Sequence, residues 1–550
     1  TVRVLVFFLL SATMLAQEPS LFGPPPNKEA PAPGLSFERI QQANKEPQNW
    51  LTYSGSLSSQ RHSLLTEIQP GNARDLELKW VFQSRSLDRH QVTPLVVNGT
   101  MYTIQSPNDV VALNAATGKQ IWIYSHIPDQ AARNCCGRFS RGVAIAGDTV
   151  FLASFDARII AIDARTGKER WKTPPAGDPK QGYAFTHAPL IVKDKIIAGT
   201  AGGEFGVRGF IAAWDLNTGK EVWRFNTVPG PGEPGNETWS GDSWRNGGAP
   251  VWVTGSYDPE SNLMYWGTGN PGPDWDGAGR LGDNLYSCSV IALDPDTGTL
   301  KWHYQFSPHN EFDWDSAQIP VLADLEWQGK PRKVMLWANR NGIFYVLDRT
   351  TGEFLKGQPF VKVNWVDGFD PKGRPIPVPG MAPSREGTLI YPGNQGGTNW
   401  YSPSYSPRTG LFYVPTWENT STTYLKGDKP PEFIEGRGFT GIFPRPGSTT
   451  DDVHSSIQAI DPKTGQKRWT HRLAAPSTET GVLTTASDVL FSGGRDGAFF
   501  ALDARSGKLL WQTNLGPSVA AGPMTYAVNG KQYVSVMAGN SMFTFGLRER

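Results

Sequence analysis

Short apolar, β-branched runs alternate with tight polar turns along this chain, and one arrangement of them keeps returning. Residues 161–171 read Ala-Ile-Asp-Ala-Arg-Thr-Gly-Lys-Glu-Arg-Trp. The pattern Ala-x-Asp-x-x-Thr-Gly-x-x-x-Trp recurs at 112–122 (Asn114 in the Asp place), 213–223, 292–302, 459–469 and 501–511 (Ser506 in the Thr place). A degraded copy at 346–356 has lost its tryptophan. Each copy predicts a strand pair. In the 161–171 unit, residues 159–162 make the incoming β-branched strand, 163–167 supply turn chemistry with Gly167 free to take positive φ, and 169–171 start the return strand. Such a pair cannot bury its faces alone, but a flat tryptophan at a fixed place can dock on the next unit. A period of about 40 to 50 residues, interrupted by insertions, signals a propeller or a solenoid. Closure into a propeller is favoured because residues 78–82, Leu-Lys-Trp-Val-Phe, look like an outer strand with its tryptophan, able to complete the ring with the last strands.

The repeats assign most of the 550 residues to one large fold rather than several ordinary domains. A net charge of +1 without a basic patch excludes nucleic acid as a partner. Arg3, the apolar run 4–10 and small residues up to Ala16 read as a secretory signal, residues 1–16, too short to span a bilayer. Residues 17–47, rich in Pro, Ala and charge, read as a linker, and the propeller is expected over 48–550.

Candidate chemistry lies between the repeats. Cys135 and Cys136 are adjacent. Their Cα atoms lie ~3.8 Å apart, so a bond between them requires a distorted peptide. An oxidising compartment permits that bond, and two unpaired thiols are the alternative. Cys288, in the β-like run 286–293, reads as a buried free thiol. The glycine-rich stretch 200–209 holds one carboxylate, Glu204, and its glycines suit close approach of a ligand to the backbone. Further insertions carry Gly-Gly-Ala-Pro-Val-Trp at 247–252 and Gly-Thr-Gly-Asn-Pro at 267–271. Asp313 and Asp315 sit two apart, on one side of an extended segment. Glu204, Asn270, Asp313 and Asp315 are hard oxygen donors, suited to Ca²⁺ or a related cation rather than zinc. The eight histidines form no zinc pattern, and His309 reads as a loop hydrogen-bonder. No Cys-x-x-Cys-His is present, which excludes covalently attached c-type haem on this sequence.

In this order, and set among tryptophan repeats, the Cys135-Cys136 pair, the 202–209 turn, the 267–271 motif and the Asp313 loop resemble the pyrroloquinoline quinone (PQQ) alcohol dehydrogenases. The resemblance runs from about residue 48 to 547. It implies an all-β, eight-bladed propeller of four-stranded antiparallel blades, with the remaining repeat expected between residues 355 and 452. It further implies a Cys135–Cys136 disulfide covering one face of PQQ, with Trp252 stacked on the other. Arg141 and Thr186 would bind cofactor carboxylates, and Gly202 and Gly203 would lend backbone donors. Gln91 stands where members often carry Glu, so that hydrogen bond is left open. Arg340 would reach the quinone oxygens, and Asn399 and Trp400 would complete the pocket. Glu204, Asn270 and Asp313 match the family's metal positions, with Asp313 also the catalytic base. Asp315 stands where the calcium branch has a small neutral residue and the lanthanide branch an Asp, so a lanthanide(III) ion is expected, with Ca²⁺ the alternative. The resemblance also implies a primary alcohol substrate; the signal-like segment points to the periplasm, the missing haem motif to a separate soluble cytochrome c or similar carrier as acceptor, and a homodimer is the candidate assembly. The competing reading is a cofactor-free propeller scaffold resembling the outer-membrane assembly lipoproteins, which share the tryptophan repeats but have no use for the carboxylates and paired cysteines.

Overall fold

In the second blade of the computed structural model, which describes residues 27–549, the repeat folds as its sequence predicts. Strands Ala144–Ala146, Thr149–Ala153, Ile159–Asp163 and Glu169–Lys172 form an antiparallel sheet, with Trp171 opposite Ala161. Asp163 Oδ1 closes the turn, accepting from the Arg165 and Thr166 backbone N–H groups and the Thr166 hydroxyl at 2.9–3.0 Å. Gly167 takes φ +71°, and a Cβ there would lie 2.8 Å from the Trp122 ring of the preceding blade. That ring is fully buried, and its indole N–H donates to the Ala164 carbonyl at 3.0 Å. Conformation and close packing therefore both demand glycine. The same docking joins Trp80 to Gly118, Trp171 to Gly219, Trp223 to Gly298, Trp302 to Gly352 and Trp469 to Gly507. Where the degraded repeat lacks its tryptophan, the Gln358 and Lys356 side chains cover Gly465 instead.

Eight such sheets make the ring. Their innermost antiparallel strands, in order, are Leu95–Val97, Ala144–Ala146, Leu190–Val192, Ser256–Asp258, Val321–Trp327, Ser404–Ser406, Leu483–Thr485 and Met524–Val528, and in the seventh a fifth strand, His62–Ser63, pairs parallel inside Leu483–Thr485. The eighth blade closes the circle, because Leu76–Gln83 from the N-terminal side pairs antiparallel with Ser541–Leu547. This corrects the expected position of the last repeat. Residues 355–452 hold instead the inner two strands of blade six, Ser404–Ser406 and Leu411–Glu418, together with two small sheets. The 459–469 repeat is the outer half of that same blade.

The putting together of the ring also uses residues 48–69, which run as a strap past the inner strands. Backbone groups of Gln48, Trp50, Leu57, Ser58, Gln60 and Arg61 bond to Ala527, Val96, Tyr257, Leu322, Tyr405 and Thr484, touching blades eight, one, four, five, six and seven. Within the strap, the Arg61 side chain is fully buried and donates to the Tyr53 and Pro523 carbonyls at 3.0 and 2.8 Å. Part of the expected linker is also built in. Lys28 and Ala30 donate to the Ile121 and Arg165 carbonyls, Leu35 pairs with Gly147, and a short helix, Phe37–Gln41, buries Ile40. Leu35 and Ile40 give this proline-rich segment enough apolar anchorage to leave solvent, which its composition conceals. The signal-like segment 1–16 lies outside the described residues. Among the described residues no helix is long and apolar enough to cross a membrane.

Candidate functional site

Gln91, Thr186, Trp252, Trp400 and Glu479 each sit four residues before the innermost antiparallel strand of their blade. Five of the eight blades therefore bring a side chain at this register to a common cavity, with a volume of about 250 Å³. Of the residues expected there, Gln91, Cys135, Cys136, Arg141, Thr186, Gly202, Glu204, Trp252, Asp313, Asp315, Arg340, Asn399 and Trp400 line it. Gly203 and Asn270 are buried just behind the wall. Sequence reasoning missed Arg89, Phe139, Gln395, Tyr401 and Glu479, which also line it, and the buried Asp274.

Cys135 and Cys136 are joined in a disulfide, and Cys288 is a buried free thiol. Cys135 Sγ lies 2.9 Å from Glu204 Oε1, so the disulfide borders the carboxylate group of residues. Arg141 occupies another part of the wall. Its guanidinium lies over the rings of Trp400, Phe139 and Trp252 at 4.5, 4.9 and 4.9 Å and donates to the Thr186 hydroxyl and carbonyl at 3.2 Å. No carboxylate pairs with it among the described residues. Burial holds it down to about 10, and its Nε has no partner. Gln91 Oε1 is likewise buried and unpartnered.

The carboxylates gather around one cation. Arg340 donates to Asp313 Oδ2 at 2.9 Å, to Asp315 Oδ2 at 2.8 Å and to the Asn394 carbonyl at 2.6 and 2.9 Å. Asp315 also accepts from the Asn270 backbone N–H at 2.7 Å and from the Trp252 side chain. Its Oδ1 stands where a Cβ on Gly269 would be, 2.4 Å away, which explains the second glycine of the 267–271 motif. Four carboxyls, Glu204, Asp274, Asp313 and Asp315, thus face each other's charge, with Arg340 between Asp313 and Asp315 and Arg280 acting on Asp274. Burial pushes Glu204 up to about 7, and the charge of Asp315 adds to the shift. Asp313 rises to about 8, because burial and the charges of Asp315 and Glu204 outweigh the pull of Arg340. Asp315 and Asp274 are raised too, chiefly by burial. Oxygen donors of this kind suit a polyvalent cation.

Comparison with known proteins agrees with this geometry. The profile of the PQQ glucose/ethanol/alcohol dehydrogenase β-propeller domain matches residues 50–364 and 472–534. The chain belongs to the PQQ alcohol dehydrogenase family. The quinoprotein alcohol dehydrogenase PedH of Pseudomonas putida is 39% identical over 92% of this chain and 88% of its own length. A lanthanide-dependent methanol dehydrogenase of Methylacidiphilum fumariolicum is 36% identical, over 91% of this chain and 86% of its own. The solved structure of a europium-containing methanol dehydrogenase superposes with a TM-score of 0.87 at 33% identity, covering 93% of this chain and all of that one. As a member of the PQQ alcohol dehydrogenases, the chain is an oxidoreductase built on the eight-bladed ring described above, and the reading as a cofactor-free scaffold is set aside.

Proposed function

We propose that this protein oxidises a small primary alcohol to the aldehyde in the periplasm, with PQQ and a polyvalent cation held in the cavity, and passes the electrons to a separate soluble cytochrome c. The observation that carries the reading is the cavity's two-part chemistry: an aromatic-stacked Arg141 without a counter-ion, and a cluster of carboxyls of which two share the Arg340 guanidinium.

The residues fit the two groups. Arg141 Nε and Gln91 Oε1 are orphaned polar atoms whose burial is costly unless a bound carboxylate or carboxyl completes them. The disulfide and the Trp252 ring are wall surfaces suited to the faces of a flat tricycle. Glu204, Asn270, Asp313 and Asp315 would hold the cation. When bound, PQQ supplies a two-electron acceptor and the cation a Lewis acid. Asp313 Oδ2 takes the proton of the alcohol hydroxyl, and Arg340 keeps that carboxylate aimed through its 2.9 Å hydrogen bond. Asp315 steadies Arg340 and Trp252 together. The enclosing rings of Trp252, Trp400 and Phe139 limit water around the reacting groups. Three of the four candidate donors are anionic carboxylates, which favours a trivalent lanthanide over Ca²⁺.

The test is reconstitution of the purified protein with PQQ and either Ca²⁺ or La³⁺, followed by alcohol-dependent reduction of an artificial dye and of cytochrome c. Turnover with primary alcohols and none with NAD⁺ is expected. Failure to reduce any dye with both cations, or efficient NAD⁺ reduction, overturns the reading.

A further inference from the structure

Residues 426–443 belong to the insertion that divides blade six, and among the described residues they contribute nothing to the cavity wall. They are tied instead to the segments that build that wall. The Phe439 N–H donates to the Glu204 carbonyl at 2.7 Å, and the Trp275 N–H to the Thr440 carbonyl at 2.9 Å. Arg133, two residues before the disulfide, donates to the Gly436 carbonyl at 3.1 Å, and Gln181 to Glu435 Oε1 at 3.0 Å. The Phe439 ring sits against two glycines: a Cβ on Gly206 would lie 3.1 Å from it, and one on Gly272 3.6 Å. Gly206 is two residues after Glu204, and Gly272 two after Asn270. One ring therefore packs on both turns that present these candidate donors. Phe433 backs it, meeting Phe439 edge-on with centroids 5.5 Å apart and standing 2.9 Å from the same Cβ position on Gly206.

The Glu204 turn needs such support. It is a single 3₁₀ turn, Gly203–Phe205, flanked by Gly202 at φ +104° and Gly206 at φ +65°. Glycines leave a backbone more freedom than any other residue, so a carboxylate carried between them is aimed only as well as the turn is held from outside. We propose that Phe439 is a positioning residue of the cation site, holding the Glu204 and Asn270 turns together from behind the wall so that both donors face one ion. The inference rests on the proposed cation site and names what fixes its donors. Linkage makes the effect reciprocal: if the seated ring tightens the ion, the bound ion keeps the ring seated.

The experiment titrates the cofactor-free full-length chain with Tb³⁺, read by tryptophan-sensitised luminescence, in the wild type, Phe439→Leu, Phe439→Ala and Phe443→Ala. Phe443 is the control on the same insertion, 74% exposed and in ring contact with Trp275 rather than with the donor turns. Phe439→Ala is expected to weaken Tb³⁺ by about 10- to 100-fold, the range for groups that orient metal ligands. It should also add bound water to the ion, read from luminescence lifetimes in H₂O and D₂O, which a merely structural role would leave unchanged. Phe439→Leu keeps an apolar side chain between the two glycines and should recover most of the affinity, and Phe443→Ala should bind as the wild type does. A second measurement needs no variant. Trypsin can cut after the exposed Arg437 only when the segment around it, Phe439 included, leaves its seat, so Tb³⁺ should slow that cut in the wild type, as followed by mass spectrometry. No saturable binding in the wild type overturns the cation site and this inference with it. Where the wild type binds, unchanged affinity in Phe439→Ala, no recovery in Phe439→Leu, an equal loss in Phe443→Ala or a cut after Arg437 indifferent to Tb³⁺ overturns the positioning role and leaves the cation site standing.

Discussion

Arg340 Nη2 stands 2.9 Å from Asp313 Oδ2, so the proposed base is held by a permanent cation while its neighbours push its pKa the other way. Asp313→Asn keeps an oxygen ligand and a partner for Arg340 but cannot take a proton. The variant is expected to lose turnover by about 10²- to 10⁴-fold or more while still binding PQQ, as followed by quenching of tryptophan fluorescence. Retained turnover removes Asp313 from the chemistry.

The same electrostatics make the stability of the cation-free protein depend on pH. Glu204 at about 7 and Asp313 at about 8 bind protons more tightly in the folded chain than in the unfolded chain, where carboxyls titrate near ~4. Folding therefore loses stability as pH rises from ~4 through about 8. The cation-free melting temperature should fall across that window, and added La³⁺ should raise it more at pH 8 than at pH 5, where protons compete for the ligands. A flat or rising cation-free profile by scanning fluorimetry contradicts the assignment.

Blade docking gives a prediction remote from the chemistry. Trp122 is fully buried on Gly167 and donates to the Ala164 carbonyl. Trp122→Ala leaves a cavity and removes the shorter of the two hydrogen bonds to the Ala164 carbonyl, for an expected loss of about 3–5 kcal/mol. Gly167→Ala should also destabilise, because its Cβ meets that ring at positive φ. Chemical denaturation measures both, and near-wild-type stability in both would show that docking contributes little.

The ring was legible because its blades repeat one local solution: an Asp-closed turn, a glycine and a tryptophan that needs that glycine. Closure was legible from Trp80 alone, since an outer strand with no preceding partners must find them at the other end of the chain. The strap was not, because residues 48–69 bond through backbone groups to six blades, and backbone bonding leaves little side-chain pattern. Cys135, Glu204 and Asp313 stood out through unusual local motifs. Glu479 and Tyr401 did not, being ordinary residues made functional only by the ring. A signal for Glu479 existed: it stands four before its inner strand, the register shared by Gln91, Thr186, Trp252 and Trp400. Arg89 could be found only through its 2.6 Å ion pair with Glu479, which joins blades seven and one across the rim.

The choice of cation is the most specific prediction. Asp315 could have turned away from the site into a private ion pair; instead it lines the cavity, shares Arg340 with Asp313 and accepts from Asn270 and Trp252. Its negative charge stays beside Glu204 and Asp313, where a divalent ion leaves an excess that a trivalent ion of similar size removes. The wild type is therefore expected to turn over with La³⁺ and poorly with Ca²⁺. Asp315→Ala should shift the preference toward Ca²⁺, but it also releases Arg340 and Trp252. Asp315→Asn keeps an oxygen for the Asn270 and Trp252 donors while removing the charge, so it separates the two effects. If charge sets the preference, both variants lose La³⁺ selectivity in turnover and in competitive binding of Tb³⁺ against Ca²⁺. Loss in Asp315→Ala alone would assign Asp315 to scaffolding, and a wild type fully active with Ca²⁺ and indifferent to La³⁺ would refute the charge argument.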